Sequence, residues 1–125
     1  MGLKKPFTEE GTREYYNNDD ALYCSFWSED GNCHWGYFPD EQTTFAQSMI
    51  ALNEKMLALA DMNDQSRVLD LGCGNGVNSF FIHRRTGAKV SGLDLSDVRI
   101  ENAQSALASS DAAIQKNVSF VRSSA

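Results

Sequence analysis

The sequence lacks any concentration of positive charge. Its 125 residues include 11 lysines and arginines against 17 aspartates and glutamates, which gives a formal net charge of −6. A surface with this balance repels phosphate backbones, and no run of lysine and arginine forms a basic stripe. We therefore expect no nucleic-acid partner.

Long apolar runs are also absent. No stretch approaches the ~20 consecutive apolar residues that cross a bilayer. Residues 1–6 lack the apolar core of a secretory signal peptide. We therefore expect no membrane span and a cytoplasmic location.

Cysteine is scarce and unpaired in its spacing. The three cysteines, Cys24, Cys33 and Cys73, argue against a disulfide framework and suit a reducing compartment. Cys33 and His34 with Cys24 are the best candidates for a metal site, but no CxxC or HxxxH spacing supports one. We expect small buried thiols and no metal.

The chain divides into an N-terminal lid or extension over residues 1–43 and a domain over residues 44–125. An aromatic and acidic stretch over residues 12–28 predicts a short helix or two in the first part. The second part opens with a predicted helix over residues 44–62, whose apolar residues recur at threes and fours and form one face for core packing. These residues are Phe45, Met49, Leu52, Met56, Leu59 and Ala60.

Strands and helices then alternate with short connections. The predicted elements are a strand over 68–71, a helix over 77–85 that stops at Gly87, a strand over 89–95, a helix capped by Ser96, and a strand over 118–121. This βαβαβ order predicts an α/β fold, the first half of a Rossmann-like, doubly wound parallel sheet with strand order 3-2-1.

The first strand runs into closely spaced glycines, Gly72, Gly74 and Gly76, which let a ligand approach bare backbone. A dinucleotide fingerprint requires glycine where Val77 stands, and a phosphate-binding P-loop requires a lysine after Gly76 that is missing. Both alternatives are therefore disfavoured. Asp94, at the end of the next strand, can accept both hydroxyls of a ribose.

The segments V-L-D-L-G-C-G-N-G (68–76) and G-L-D-L-S (92–96) resemble the first two motifs of class I S-adenosylmethionine-dependent methyltransferases. The resemblance implies that the glycine loop lies against the methionine part of the cofactor, that Asp94 binds the ribose, and that Leu95 packs on adenine. It also places Asp70 and Cys73, as members of the first motif, among the cofactor-binding residues.

After the third strand, family members often carry an aspartate that binds the adenine amino group. Ser124 stands at that position here, in the segment V-S-F-V-R-S-S-A (118–125). A neutral hydroxyl can still accept one hydrogen bond from the amine. The resemblance therefore implies a weaker adenine contact from Ser124.

The upstream residues resemble the N-terminal segment of small-molecule methyltransferases of the sarcosine/dimethylglycine, tocopherol and cyclopropane-fatty-acid types. In those relatives this segment folds over the cofactor, and aromatic side chains attract a sulfonium cation. An aromatic mini-core that only holds down the lid is an equal alternative. By position, the residues implied near the methionine end and the acceptor are Tyr15, Tyr16, His34, Trp35 and Tyr37, with Gln47 on the following helix.

His34 is the one candidate base, because histidine titrates near neutral pH; a structural role is the alternative. The resemblance reaches only the first half of the catalytic domain, in which a fourth strand pairs beside the first. We therefore expect a partial chain, or a homo-oligomer in which another copy pairs with the exposed sheet edge.

The function implied is methyl transfer from S-adenosylmethionine to a small-molecule acceptor (an amine, a phenol or a lipid-like compound), with S-adenosylhomocysteine as product. Two alternatives stay open. The chain could be a cofactor-binding or regulatory module without activity. A nicotinamide-dependent oxidoreductase shares the fold but conflicts with Val77.

Overall fold

The computed structural model describes residues 7–27 and 33–125. Its elements alternate in the predicted way after two N-terminal helices. In chain order they are α1 (Glu9–Phe26), α2 (Phe45–Ala60), β1 (Arg67–Leu71), α3 (Val77–Thr86), β2 (Lys89–Asp94), α4 (Asp97–Ala108), α5 (Ala112–Asn117) and β3 (Val118–Arg122). None of the helices in these ranges is both long and apolar enough to cross a membrane.

The three strands form one parallel sheet with β2 between β1 and β3. The register places Val68 beside Val90 and Val90 beside Val118. This is the predicted order, and the α/β Rossmann-like fold is confirmed. The carboxyl ends of β1 and β2 therefore lie side by side, which brings the glycine loop close to Asp94.

Local capping signals fix the ends of the helices that flank the site. Ser96 accepts a hydrogen bond from the backbone N–H of Arg99 at 3.2 Å and so caps α4, as predicted. Gly87 ends α3 by donating its backbone N–H to the His83 carbonyl at 2.8 Å. Each helix thus begins or ends where its sequence signal lies.

The N-terminal stretch forms one helix, α1, rather than two short ones; residue 28, at the end of the predicted range, lies outside the described residues. Helix α5 has no counterpart in the prediction. It spans six residues and is capped by Asp111, which accepts from the Ile114 backbone N–H at 3.0 Å. Six residues are too few to show a helical period.

Helix α2 begins after Thr44, which forms a capping box with Gln47. Its predicted core face is only partly buried. Met49 is buried, but Met56 is 60% exposed and Leu59 81% exposed. The core prediction is therefore wrong for four residues that are exposed, although they follow the apolar period: Phe45, Met56, Leu59 and Ala60.

The core lies between the sheet and helices α3, α4 and α5. The rings of Phe80 and Phe120 meet edge to face at 5.3 Å between centroids. The buried cluster consists of Cys73, Phe80, Ile100, Ala103, Ile114, Val118 and Phe120, with Leu107 packed against it. Ile100, Ala103 and Leu107 thus form the apolar face of α4.

The opposite face of the sheet is uncovered by the described residues. Leu69 and Leu71 are each 57% exposed, and Val121 is 52% exposed. Because alternate side chains of a strand point to opposite faces, these residues look away from the helices. A parallel sheet is normally covered on both faces, whereas the described residues leave this apolar face and the β1 edge uncovered.

Candidate cofactor site

A cavity of about 380 Å³ opens at the carboxyl ends of β1 and β2, beneath α1. This is where open α/β sheets hold their ligands. It brings together four of the predicted site residues: Tyr16, Gly72, Asp94 and Leu95. The full lining is Thr12, Tyr16, Trp27, Cys33, Leu71, Gly72, Leu93, Asp94, Leu95, Arg99, Ser123 and Ala125.

The glycine loop is tied to the end of β2. The backbone N–H groups of Gly72 and Cys73 both donate to the Leu93 carbonyl, at 2.8 and 2.9 Å. Gly72 has a φ of +73°, and a Cβ placed on it would meet nothing within 4 Å. Gly72 therefore presents bare backbone to open space in the cavity, as a ligand contact requires.

The other two glycines lie outside the cavity lining. A Cβ on Gly76 would come within 2.5 Å of the Phe120 ring, so the start of α3 can sit on the core only without a side chain. A Cβ on Gly74 would lie 3.4 Å from Arg99 Nη1. The predicted contact of Gly74 and Gly76 with a ligand thus has no counterpart in the cavity lining.

Asp94 is fixed by two backbone donors. Its Oδ2 accepts from the Gly74 N–H and its Oδ1 from the Ser96 N–H, each at 2.9 Å. A carboxylate has about four lone-pair sites, so both oxygens keep acceptor capacity toward the cavity. Asp94 thus joins the glycine loop to the cap of α4 and remains able to bind a pair of hydroxyls.

Asp70 and Cys73 point elsewhere. Asp70 accepts a 2.6 Å hydrogen bond from the Ser79 hydroxyl and lines a second cavity. The Cys73 thiol lies in the core, where burial, reinforced by the charges of Asp70 and Asp94, raises its pKa to about 12. The Cys73 thiol is therefore protonated at neutral pH and faces away from the cavity.

Helix α1 covers the cavity with Tyr16, whereas Tyr15 is 51% exposed and touches the Tyr16 ring edge to face. Trp35 is 78% exposed and packs on Trp27, with 5.5 Å between the ring centroids. Trp27 lines the cavity, so Trp35 stands one ring removed from it. Tyr37 lies apart, under the Lys55 ammonium, which is 4.3 Å from its ring centroid.

Ser124 hydrogen-bonds the Glu9 carboxylate of α1. Its neighbours, Ser123 and Ala125, line the cavity, while Ser124 itself does not. The Ser123 N–H donates to the Asp94 carbonyl at 3.1 Å, which holds the chain after β3 against the site. The predicted position is thus wrong by one residue: Ser123, and not Ser124, lines the cavity.

His34 lines the second cavity, of about 270 Å³, together with Asp70 and Asn78. Its Nδ1 lies 2.8 Å from the Trp35 carbonyl, which can only accept, so Nδ1 carries a proton. Nε2 is buried and has no hydrogen-bond partner among the described residues. The structure therefore separates His34 from the cavity that holds Asp94.

Sequence reasoning missed Arg99 and Asp20. Arg99 is 7% exposed, and its Nε lies 3.2 Å from Asp20 Oδ1, a buried ion pair between α4 and α1. One signal was available: Arg99 falls on the same helical face as Ala103, so a charge interrupts an apolar stripe. A buried arginine needs an acidic partner, but the sequence could not say which of its acids supplies it.

The residues present fit an adenosine-containing cofactor. Gly72 offers the cradle that a side chain would fill, and Asp94 offers acceptor sites for ribose hydroxyls. Leu95 and Trp27 provide apolar surface for a flat base and thioether. No group of three or more potential metal ligands occurs in the described ranges.

Comparison with known proteins supports this assignment. Residues 4–122 match the family model of the mycolic acid cyclopropane synthetases. The chain is 32% identical over 91 residues to sarcosine/dimethylglycine N-methyltransferase of Halorhodospira halochloris, spanning 70% of this chain and 32% of that enzyme. The chain spans 36% and 38% of two other curated relatives, so it covers roughly a third of the length of these three.

Solved structures share the fold. The cyclopropane synthase MmaA2 of Mycobacterium tuberculosis superimposes with a TM-score of 0.81 at 20% identity, over 92% of this chain and 40% of that one. Geranyl diphosphate C-methyltransferase of Streptomyces coelicolor, in complex with S-adenosyl-L-homocysteine, gives 0.69 at 21% identity, over 96% and 50%. The chain belongs to the mycolic acid cyclopropane synthetase family and carries the N-terminal part of the class I S-adenosylmethionine-dependent methyltransferase fold.

Proposed function

We propose that this chain supplies the cofactor-binding part of an S-adenosylmethionine-dependent methyltransferase that acts on a small molecule. The observation that carries the proposal is the single cavity in which bare backbone at Gly72, the Asp94 carboxylate and the α1 ring of Tyr16 meet. Family membership makes this chemistry the expected one, and the cavity supplies the groups that it needs.

When bound, S-adenosylmethionine supplies an electrophilic methyl group on its sulfonium sulfur. Asp94 binds the ribose hydroxyls, Leu95 packs against the base, and the Gly72 backbone faces the chain that leads to the sulfur. One face of the Tyr16 ring lies against the Arg99 guanidinium, so the ring has its other face for the cation. These residues orient the methyl group and exclude water, which is the main contribution that a protein makes to such a displacement.

A small acceptor fits this chain better than a macromolecule. The net charge of −6 disfavours nucleic acid. Two of the relatives reported above are named for small acceptors, sarcosine/dimethylglycine and geranyl diphosphate. We propose that residues 1–43 act as the lid over the domain of residues 44–125. His34 lines the second cavity beside Asp70 and not the cavity that holds Asp94, so we propose the structural role for it.

Two further assignments are proposals of the same kind. The odd number and unpaired spacing of the three cysteines suit a reducing compartment, and this supports a cytoplasmic location. The uncovered β1 edge, with Leu69 and Leu71 exposed, is the surface through which copies of this chain would associate. Light scattering of the wild type against a Leu69→Lys variant, which leaves the cofactor cavity intact, measures that association, and an unchanged molar mass would exclude this edge.

Calorimetric titration with S-adenosylmethionine and S-adenosylhomocysteine tests the cofactor assignment. Asp94→Ala should weaken binding by about 1.5–3 kcal/mol, as expected for hydrogen bonds to a charged group. Glu101→Ala is the matched control, because Glu101 is an exposed carboxylate on α4. Equal affinities of the two variants would remove Asp94 from the site.

Two measurements separate the alternatives. Transfer of a labelled methyl group from the cofactor to a panel of small amines and phenols would exclude the purely regulatory module. A titration with NADH should give no saturable response, because Val77 stands where the dinucleotide fingerprint requires glycine. Saturable NADH binding would overturn the methyltransferase reading of the loop.

A further inference from the structure

One ion pair joins the helix that covers the cavity to the helix that forms its wall. Asp20 on α1 and Arg99 on α4 are each 7% exposed, and Asp20 Oδ1 lies 3.2 Å from Arg99 Nε. The second oxygen of Asp20 accepts from Asn102 Nδ2 at 3.1 Å. The carboxylate is thus held by α4 through two different side chains.

The same face of α1 continues the contact. The Tyr16 ring lies over the Arg99 guanidinium, with 4.8 Å between the guanidinium carbon and the ring centroid. Asn17 accepts a 2.7 Å hydrogen bond from the Ser96 hydroxyl, which is fully buried. Polar groups therefore hold α1 against α4, although the sequence of α1 is rich in aromatic residues.

Arg99 itself reaches the ligand cavity. It lines the same cavity as Asp94 and Tyr16 and packs beneath Gly74 of the glycine loop. A guanidinium in this place needs a carboxylate, since a buried cation without its partner is strongly unfavourable. The carboxylate is supplied by the covering helix, not by the domain that carries Arg99.

We propose that Asp20 is a positioning residue for the cofactor site: it holds Arg99 at the cavity wall and cancels its charge toward a cationic ligand. Docking of α1 and binding of the sulfonium cation are thereby coupled. This inference rests on the proposed function, because it concerns the same cavity. Its distinctive consequence is electrostatic: loss of the Asp20 charge acts against the cationic cofactor more than against its neutral thioether product.

S-adenosylmethionine and S-adenosylhomocysteine differ by one methyl cation. The ratio of their Kd values therefore depends on the net charge of the cavity wall. The sulfonium of a ligand bound in this cavity lies within about 10 Å of the Arg99 guanidinium. At an effective dielectric constant of about 25–40, an uncompensated charge at that distance changes a dissociation constant roughly four- to tenfold. Asp20→Asn should therefore raise the Kd for S-adenosylmethionine about four- to tenfold more than the Kd for S-adenosylhomocysteine at low salt.

Two companion variants should change the ratio of the two Kd values in directions that a purely structural role would not produce. Arg99→Gln leaves the Asp20 carboxylate in place and should shift the Kd ratio in the opposite direction. The double variant Asp20→Asn/Arg99→Gln, with a neutral pair, should restore the wild-type ratio. Glu14→Gln, which removes an exposed charge from the same helix, is the control and should leave the ratio unchanged.

Hydrogen exchange of α1 in the ligand-free chain gives the second readout. Asp20→Asn should accelerate exchange along α1 relative to Glu14→Gln, since it releases the helix from α4. Parallel changes in both ligands' affinities, or unchanged exchange, would overturn the positioning role. If the wild type binds neither ligand, the proposed function fails for this chain, and the exchange comparison alone decides whether Asp20 docks α1.

Discussion

The glycine loop offers a sharp test, because two glycines of one motif should respond to the same substitution in different ways. Gly76→Ala places a Cβ within 2.5 and 2.7 Å of Phe120 ring atoms, at a φ of +82°. Relaxed carbon contacts lie at about 3.5–4.0 Å, so the ring or the helix must move. Gly72→Ala meets nothing within 4 Å, at a φ of +73°.

The magnitudes follow from these contacts. The left-handed backbone costs an alanine about 1–2 kcal/mol at either position. Forcing a methyl group into packed surroundings adds about 1–3 kcal/mol at Gly76 only. Gly76→Ala should therefore lower the free energy of unfolding by roughly 2–5 kcal/mol, against about 1–2 kcal/mol for Gly72→Ala.

Urea unfolding, monitored by circular dichroism, measures the free energy of unfolding of each variant. Calorimetric titration measures the binding of S-adenosylmethionine. Gly72→Ala should stay folded yet bind S-adenosylmethionine about tenfold more weakly, or ~1.4 kcal/mol, because its methyl group enters the cavity. Phe120→Leu combined with Gly76→Ala should recover part of the packing cost but none of the backbone cost. Equal destabilisation by the two single substitutions would refute the division of roles within the loop.

The remaining predictions concern Cys73 and Ser96. The Cys73 thiol, buried and with its pKa raised to about 12, should resist iodoacetamide at pH 8 in the folded chain and react after unfolding; rapid labelling would place it outside the core. Because this pKa lies above the ordinary value of 9.0, the contribution of Cys73 to stability is complete below pH ~9 and is lost as the pH rises toward 12. A Cys73→Ala variant should therefore show a weaker alkaline loss of stability. Ser96→Ala removes the cap of α4 and the donor to Asn17, and should lower the free energy of unfolding by about 1–2 kcal/mol. Ser105→Ala, at an exposed position within α4, should change it little, and equal effects would contradict the capping role.

Much of the fold follows from signals that act within a few residues. Ser96 caps α4 and Gly87 ends α3 because the side chain or backbone needed at each terminus is local. The parallel order of the strands follows from connections that contain helices. Asp94 falls beside the glycine loop because adjacent parallel strands end at the same edge.

Other features depended on contacts between distant segments. Met56 and Leu59 fit an apolar helical period, yet exposure is decided by what lies opposite them. His34 was grouped with the cofactor by position along the chain, and the backbone turns its side chain into another cavity. Ser124 and Ser123 differ by one residue, and only the course of the backbone after β3 selects which one faces the site.

The sequence alone determined every element except α5, the parallel order of the strands, the glycine loop and the acid opposite it, because each rests on a short-range period, a cap or a fixed spacing. Only the tertiary structure decided that Gly72 opens to the ligand while Gly76 packs on Phe120, and that Asp20 is the partner of Arg99. A residue type limits the interactions that a position can make. Burial and long-range pairing decide which of those interactions form, because they set the groups that surround the residue.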